Sequence, residues 1–281
     1  MSCDLHCHSK ISDGSIGIDE IISLAKRRGL SAIAITDHDA VAGATRAVVI
    51  GKRQGIEVIH GVEFSAYDTA RQAKVHVLGY LCDSPDRLEG MCRQIGNNRR
   101  AAATEMVRKV LRYYPIVPDS IMRCAAGSTN IFKQHIMHAL MDAGYADSIY
   151  GETYDKLFST ESGCARVDIE YPCVQNVIDL IHSAGGLAVL AHPAAYANEA
   201  LLEELTEAGK LDGVEVWHPH HSEQQTQALQ EFADAHRLLM TGGSDFHGMY
   251  APTTRPLGSV NVADEVVSQM LTYKTKQLCR K

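Results

Sequence analysis

Along the first 85 residues, short apolar runs rich in β-branched side chains alternate with stretches whose apolar positions recur at helical spacing. "CDLHCHS" reads as a strand, Ile18, Ile21, Ile22 and Ala25 share one helix face, and "LSAIAITDHD" is a second strand. A helix then runs to about Gly55, and "IEVIHGVEFS" is a third strand. The second half repeats the alternation. "VQNVIDLIHSAGG", "NEALLEELTEAGK" and "SEQQTQALQEFADAHR" read as helices, separated by "LAVLAHP", "GVEVWHP" and "LLMTGGSDFHG" as strands with their following loops. Such repetition predicts a parallel sheet or barrel with crossover helices. Residues 86–166 show helical periodicity without clear strands, so they read as an inserted helical subdomain, leaving 1–85 and 167–281 to the barrel.

Composition narrows the setting. A length of 281 residues with 45% apolar content suffices for a large core, and no apolar run approaches the roughly 18 residues of a membrane span. No basic segment followed by an apolar stretch opens the chain, so a cytoplasmic location is expected. The eight cysteines form no C-x-x-C pair and sit mostly in apolar contexts, which predicts buried free thiols. A formal charge of −7 disfavours binding along an extended nucleic-acid backbone, and small anionic substrates remain possible where local cations meet them.

The chemistry gathers where the strands end. In "DLHCHSKISDGS" His6 and His8 stand at i and i+2 of a strand, so both point to one face, and Asp13 follows five positions later. "TDHD" brings His38, "GVEFS" Glu63, "KVHVLGY" His76, "AHP" His192, and "GSDFHG" Asp245 and His247. Taken singly, His38 or His192 fits a satisfied strand-end histidine better than a ligand. Nine such residues at one topological position converge on the face where the loops of a parallel barrel open. Nitrogen and oxygen donors without a ligating cysteine suit Mn²⁺ foremost, or Fe²⁺ or Zn²⁺, and nine donors exceed what one ion needs. Two or three divalent ions are expected.

The ordered set "DLHCHSKISDG", "AITDHD", "GVEFS", "VHVLGY", "LAHP" and "GSDFHG" resembles the PHP (polymerase and histidinol phosphatase) family, especially its stand-alone phosphoesterases. The resemblance covers nearly the whole chain. It implies a distorted (β/α)7 barrel with a trinuclear centre: His6, His8, Glu63 and Asp245 on one ion, Glu63, His76 and His192 on a second, Asp13, His38 and His247 on the third. It also implies hydrolysis of phosphate esters of a small nucleotide or sugar phosphate, monoester or cyclic diester, by water that the ions activate. Asp13 and His247 are the candidates to protonate the leaving oxygen, beside their simpler role as ligands.

Two helical stripes in the insert carry cations at one end. Ala103, Met106, Val107, Val110, Leu111 and Tyr114 are preceded by Arg99 and Arg100, and Ile136, Ala139, Leu140 and Ala143 by Lys133 and His135. Such side chains either snorkel to solvent or face inward. The resemblance implies the second, since related enzymes clasp substrate phosphate with an arginine-rich helix and an R-x-H turn. Here Lys133 replaces the usual arginine and Ala102 a second helix arginine, and a lysine cannot fork onto a phosphate. The family also carries a histidine after the penultimate strand; among His218, His220 and His221, His221 is the preferred phosphate contact. His60, before a glycine turn, His182, His236 and Trp217 receive no role. Alternatives are an exonuclease trimming short oligonucleotides, which the negative charge weakens, and a non-catalytic metal-binding module, which predicts eroded ligands. The oligomeric state is open.

Overall fold

The computed structural model describes residues 2–260 and 262–278. Eight strands form: β1 (Ser2–Asp4), β2 (Ala32–Ile35), β3 (Glu57–Asp68), β4 (Ala73–Tyr80), β5 (Leu187–Leu190), β6 (Gly213–Trp217), β7 (Leu239–Gly242) and β8 (Val262–Ala263). The helices between and after them are α1 (Ile18–Arg27), α2 (Ala42–Gln54), α3 (Glu89–Val110), α4 (Pro118–Cys124), α5 (Lys133–Asp142), α6 (Glu152–Phe158), α7 (Val174–Ser183), α8 (Glu199–Glu207), α9 (Glu223–His236) and α10 (Glu265–Leu278). In α1 the apolar face Ile18, Ile21, Ile22 and Ala25 is buried, with Asp19 and Glu20 in the first turn and Lys26 and Arg27 in the last, the order the helix dipole favours.

Strand order is β7-β6-β5-β4-β3-β2-β1-β8. The sheet curls until the chain after β1 meets the chain after β7: the Leu5 N–H donates to the Gly242 carbonyl at 3.1 Å, and the His8 N–H to Phe246 at 2.8 Å. The result is a nearly closed, distorted barrel. Leu5, Ala34, Leu78, Tyr80, Val189 and Leu239, drawn from strands around its circumference, meet in one buried cluster, against which Val266, Val267 and Met270 of α10 pack.

The expectation of a parallel sheet needs correction. β4 runs antiparallel to both β3 and β5, and β8 runs antiparallel to β1. The connection from β3 to β4 spans only residues 69–72, whereas a parallel crossover needs about a dozen residues. A hairpin is the available solution. Within β3, Gly61 is not a turn, and His60 pairs with Ile35 in the middle of the sheet.

Helices α3–α6 stand between β4 and β5 and share their own apolar cluster: Ala102, Met106 and Val110 of α3, Ile121 of α4, Ile136 and Leu140 of α5, Leu157 and Phe158 of α6, and Tyr250 from a barrel loop. Ala143, assigned to the second stripe, follows the end of α5 and is exposed. The seven described cysteines are unpaired; Cys3 and Cys7 are buried and the other five are half-buried rather than buried, while Cys279 lies outside the described residues. No described helix is long and apolar enough to cross a membrane.

Candidate metal centre

Strand direction explains how the nine residues meet. The segments after β1, β2, β5 and β7 reach the same rim as the middle of β3, and β4 arrives there reversed, so His76 in its first half, not its end, sits at that rim opposite Ser65. Glu63 is the centre. Its Oε2 lies 3.3 Å from His6 Nε2, 3.2 Å from His8 Nε2 and 3.2 Å from His38 Nδ1, and its Oε1 lies 2.9 Å from His76 Nδ1 and 3.0 Å from His192 Nε2. Asp245 Oδ1 completes the first group at 3.6 Å from His6 Nε2 and 3.3 Å from His8 Nε2. Asp13 Oδ1 faces His247 Nε2 at 3.3 Å, and His8, Asp13, His38 and His247 bring ligand atoms within 4.8 Å of one another.

The donor chemistry fits divalent cations. His6 Nε2 and His8 Nε2 point at each other across 3.1 Å, and the buried atoms His8 Nδ1 and His192 Nδ1 have no hydrogen-bond partner among the described residues. Lone pairs converge with few donors to meet them, an arrangement that carboxylates and imidazoles sustain when cations bind. Two of the nine pay backbone strain for their position, His192 at φ 25° and Asp245 at φ 49°, a conformation unusual outside glycine and frequent at functional sites.

Burial and neighbouring charges shift the titration of the cluster's members. Burial opposes a charge on His8, but Asp245, Glu63 and Asp13 outweigh it and lift its pKa to about 10. Burial opposes a charge on His6 likewise, and Glu215 and Glu63 carry it well above the ordinary histidine range. Burial holds His38 well below that range, aided by the neighbouring His8 and His76 against the pull of Glu63. Despite burial, surrounding imidazoles keep Asp13, Glu63 and Asp245 well below the usual carboxylate range.

Several residues that the sequence analysis passed over build the scaffold. Glu215 of β6, fully buried, accepts from His6 Nδ1–H at 2.9 Å and from the His192 backbone N–H at 2.9 Å, which leaves His6 Nε2 free to ligate. Its signal was a lone carboxylate inside the apolar strand GVEVW. Asp37 accepts from the backbone and hydroxyl of Ser9 and from Ser12, fixing the loop that carries Asp13, and Asp4 accepts from Ser244 and Gly258 on the far side. That loop also packs too closely for side chains: a Cβ on Gly14 would stand 2.2 Å from the His8 carbonyl oxygen, and one on Gly243 would stand 2.4 Å from the His6 nitrogen. Gly243 thus lets the chain before Asp245 press against β1's extension.

The centre forms the floor of a cavity of about 320 Å³ walled by Gln134, Tyr150, Tyr196, His218, His220, Tyr250 and Arg255. Gln134 of α5 donates to Asp13 Oδ2 at 3.1 Å, tying the insert to the centre. The five expected substrate contacts lie elsewhere. Arg99 is buried, donating to Asp39 Oδ2 at 2.6 Å and Ser65 Oγ at 3.1 Å with its guanidinium 4.5 Å from the Phe132 ring centre. Arg100 is exposed and bonds Asn97. His135 accepts the Phe132 N–H at the start of α5, and burial pushes its pKa down to about 4. His221 donates through Nδ1 to the Val216 carbonyl at 2.8 Å, away from the cavity wall. Lys133 stands over the rings of Tyr154 and Phe158, 5.9 and 5.5 Å from their centres. His60, His182, His236 and Trp217 also lie off the cavity wall, with His182 held 2.8 Å from Asp212.

Comparison with known proteins decides the family. A family model described as PHP domain matches residues 4–211. The chain belongs to the PHP family. A PHP relative from Eggerthella lenta, a phosphoribosyl 1,2-cyclic phosphate 1,2-diphosphodiesterase, is 37% identical over 249 residues, covering 88% of this chain and 94% of its own. A 3',5'-nucleoside bisphosphate phosphatase from Chromobacterium violaceum is 30% identical over 251 residues, 87% of this chain and 86% of its own. The crystal structure of a metal-dependent phosphoesterase from Bifidobacterium adolescentis superposes with a TM-score of 0.86 at 29% identity, covering 96% of both chains. This PHP chain is accordingly an enzyme, a metal-dependent phosphoesterase.

Proposed function

We propose that this enzyme hydrolyses a small phosphorylated metabolite, a nucleotide or sugar phosphate, as a monoester or a small cyclic diester. The observation that carries the reading is Glu63, whose two oxygens face five imidazoles at 2.9–3.3 Å on the floor of a cavity of about 320 Å³. That volume lies near the lower end, about 300 Å³, of small-molecule sites, and favours a compact ester over an extended strand. The relatives that act on a cyclic phosphate and a bisphosphate support the same substrate class.

His6, His8, Glu63 and Asp245 would hold one ion, Glu63, His76 and His192 a second, and Asp13, His38 and His247 a third, with Mn²⁺ first among the candidates and Fe²⁺ or Zn²⁺ next. Bound divalent ions supply a lowered water pKa and positive charge for the phosphoryl oxygens. The chain's own groups do the positioning. Glu215 keeps the proton of His6 on Nδ1, and the Asp245 carbonyl, 2.8 Å from His247 Nδ1, keeps Nε2 of that ring turned toward Asp13. In place of its ligand role, Asp13 or His247 is the proposed proton donor to the leaving oxygen. Tyr196 and Tyr250 line the same cavity.

Lys133 is proposed to meet a second anionic group of the substrate, beyond the cavity wall. Burial pushes its pKa down to about 8, with Lys74 and Arg166 adding like charge. The unpaired thiols fit a cytoplasmic setting. The test is turnover by the purified, Mn²⁺-loaded protein of a panel of phosphomonoesters, five-membered cyclic phosphates, sugar phosphates and short oligonucleotides. Phosphate or ring-opened product from the small esters is expected; turnover of oligonucleotides alone would overturn the substrate class.

A further inference from the structure

Among the described residues lining the cavity, Arg255 is the one arginine or lysine. It comes from the loop after β7, outside the insert to which the sequence assigned phosphate recognition. Its side chain is buried, 6% exposed, and its guanidinium is held from three sides: Nε donates to Thr253 Oγ1 at 3.3 Å, Nη1 to Asp245 Oδ2 at 3.3 Å, and Nη2 to His220 Nε2 at 2.7 Å. The His220 ring can accept because burial, and then Arg255 itself, lower its pKa. A guanidinium has five N–H donors, so two remain, one on each terminal nitrogen. A buried fork with two spare donors, beside an Asp245 that faces both His6 and His8, suits two oxygens of one tetrahedral anion.

We infer that Arg255 binds the reacting phosphoryl group, contributing the forked cation that the insert does not bring to the cavity wall. This deepens the phosphoesterase reading of the same cavity and rests on it. The competing role is purely positional, with Arg255 serving only to anchor Asp245.

Inorganic phosphate separates the two. Its affinity for the metal-loaded holoenzyme is measured by calorimetry and as competitive inhibition, alongside ions per chain by elemental analysis, for wild type, Arg255→Gln and Arg255→Lys. Loss of one charge-assisted bidentate contact should weaken phosphate about 10- to 150-fold in Arg255→Gln with ion content unchanged. Arg255→Lys, keeping the charge without the fork, should fall between. Unchanged phosphate affinity in either well-folded variant overturns the inference, as does a loss confined to variants that have also lost ions. Should Arg255→Gln not fold, Arg255→Lys carries the test, with several-fold weakening expected and wild-type affinity refuting it. Failure of the wild type to hydrolyse any ester would instead sink the function proposed above, independently of these affinities.

Discussion

Replacing Glu215 by glutamine changes one oxygen to an NH₂ in a fully buried site and leaves every candidate ligand in place. The carboxylate now accepts two hydrogen bonds at 2.9 Å, from His6 Nδ1–H and from the His192 backbone N–H. Glutamine can satisfy only one. If its oxygen takes the His192 N–H, its NH₂ faces His6 Nδ1, which must accept; the ring proton then moves to Nε2, the atom that faces His8, Glu63 and Asp245, and His6 cannot ligate. If the oxygen takes His6 instead, the NH₂ and the His192 N–H confront each other as donors, and an unsatisfied buried donor costs about 1–3 kcal/mol. Either orientation predicts about 1.4–2.8 kcal/mol of lost ion affinity, or roughly 10- to 100-fold. Competition with a chromophoric chelator gives the affinity, and circular dichroism checks the fold. Wild-type affinity for every ion in Glu215→Gln would refute the reasoning and make Glu215 an ordinary buried carboxylate.

Three further outcomes follow from the same geometry. Asp13→Asn and His192→Ala should each lower turnover by more than about 10²-fold in protein of unchanged secondary structure, and turnover within a few-fold of wild type would remove that residue from the centre. Lys133→Ala should lower kcat/KM by about 10- to 150-fold for esters that carry a second phosphate, with no change in ion content; equal losses for all esters, or none, would count against a second anion contact. Ion loading near pH 7.5 should release protons, because His8, with a pKa of about 10 in the ion-free protein, must become neutral to ligate, so affinity should fall as pH falls. Ion-free, that raised pKa stabilises the fold fully below the ordinary 6.5, and this stability fades as pH rises to about 10. Calorimetry in buffers of different ionisation enthalpy reads the protons, and zero release would contradict the pairing.

The barrel and the nine donors were legible because their signals are local: histidines in or just after strands, His6 and His8 at period two, Asp13 and Asp245 in glycine- and serine-rich turns, and Glu63 as a carboxylate within an apolar strand. What escaped depends on pairing between distant segments. The direction of β4 was decided by a connection too short for a crossover, so His76 belongs to the rim although it precedes the strand's end. Arg99 faces inward, as its helical stripe allowed, but its partner Asp39 is 60 residues away and occupies it. Glu215 left a trace, a charge in an apolar strand, whose meaning needed His6 beside it. Arg255, in the unpatterned "TTRPLGSV", left none. His221 and His220 differ by one position, yet only His220 reaches the wall, because a tight turn after β6 sets which ring faces in.

The most direct measurement is ion content against activity in one preparation. Elemental analysis of protein expressed in metal-supplemented medium should find two or three divalent ions per chain; chelation should abolish ester hydrolysis, and adding Mn²⁺, Fe²⁺ or Zn²⁺ back should restore it in step with the ions regained. Full activity in protein carrying one ion or none would contradict a multinuclear centre built on Glu63.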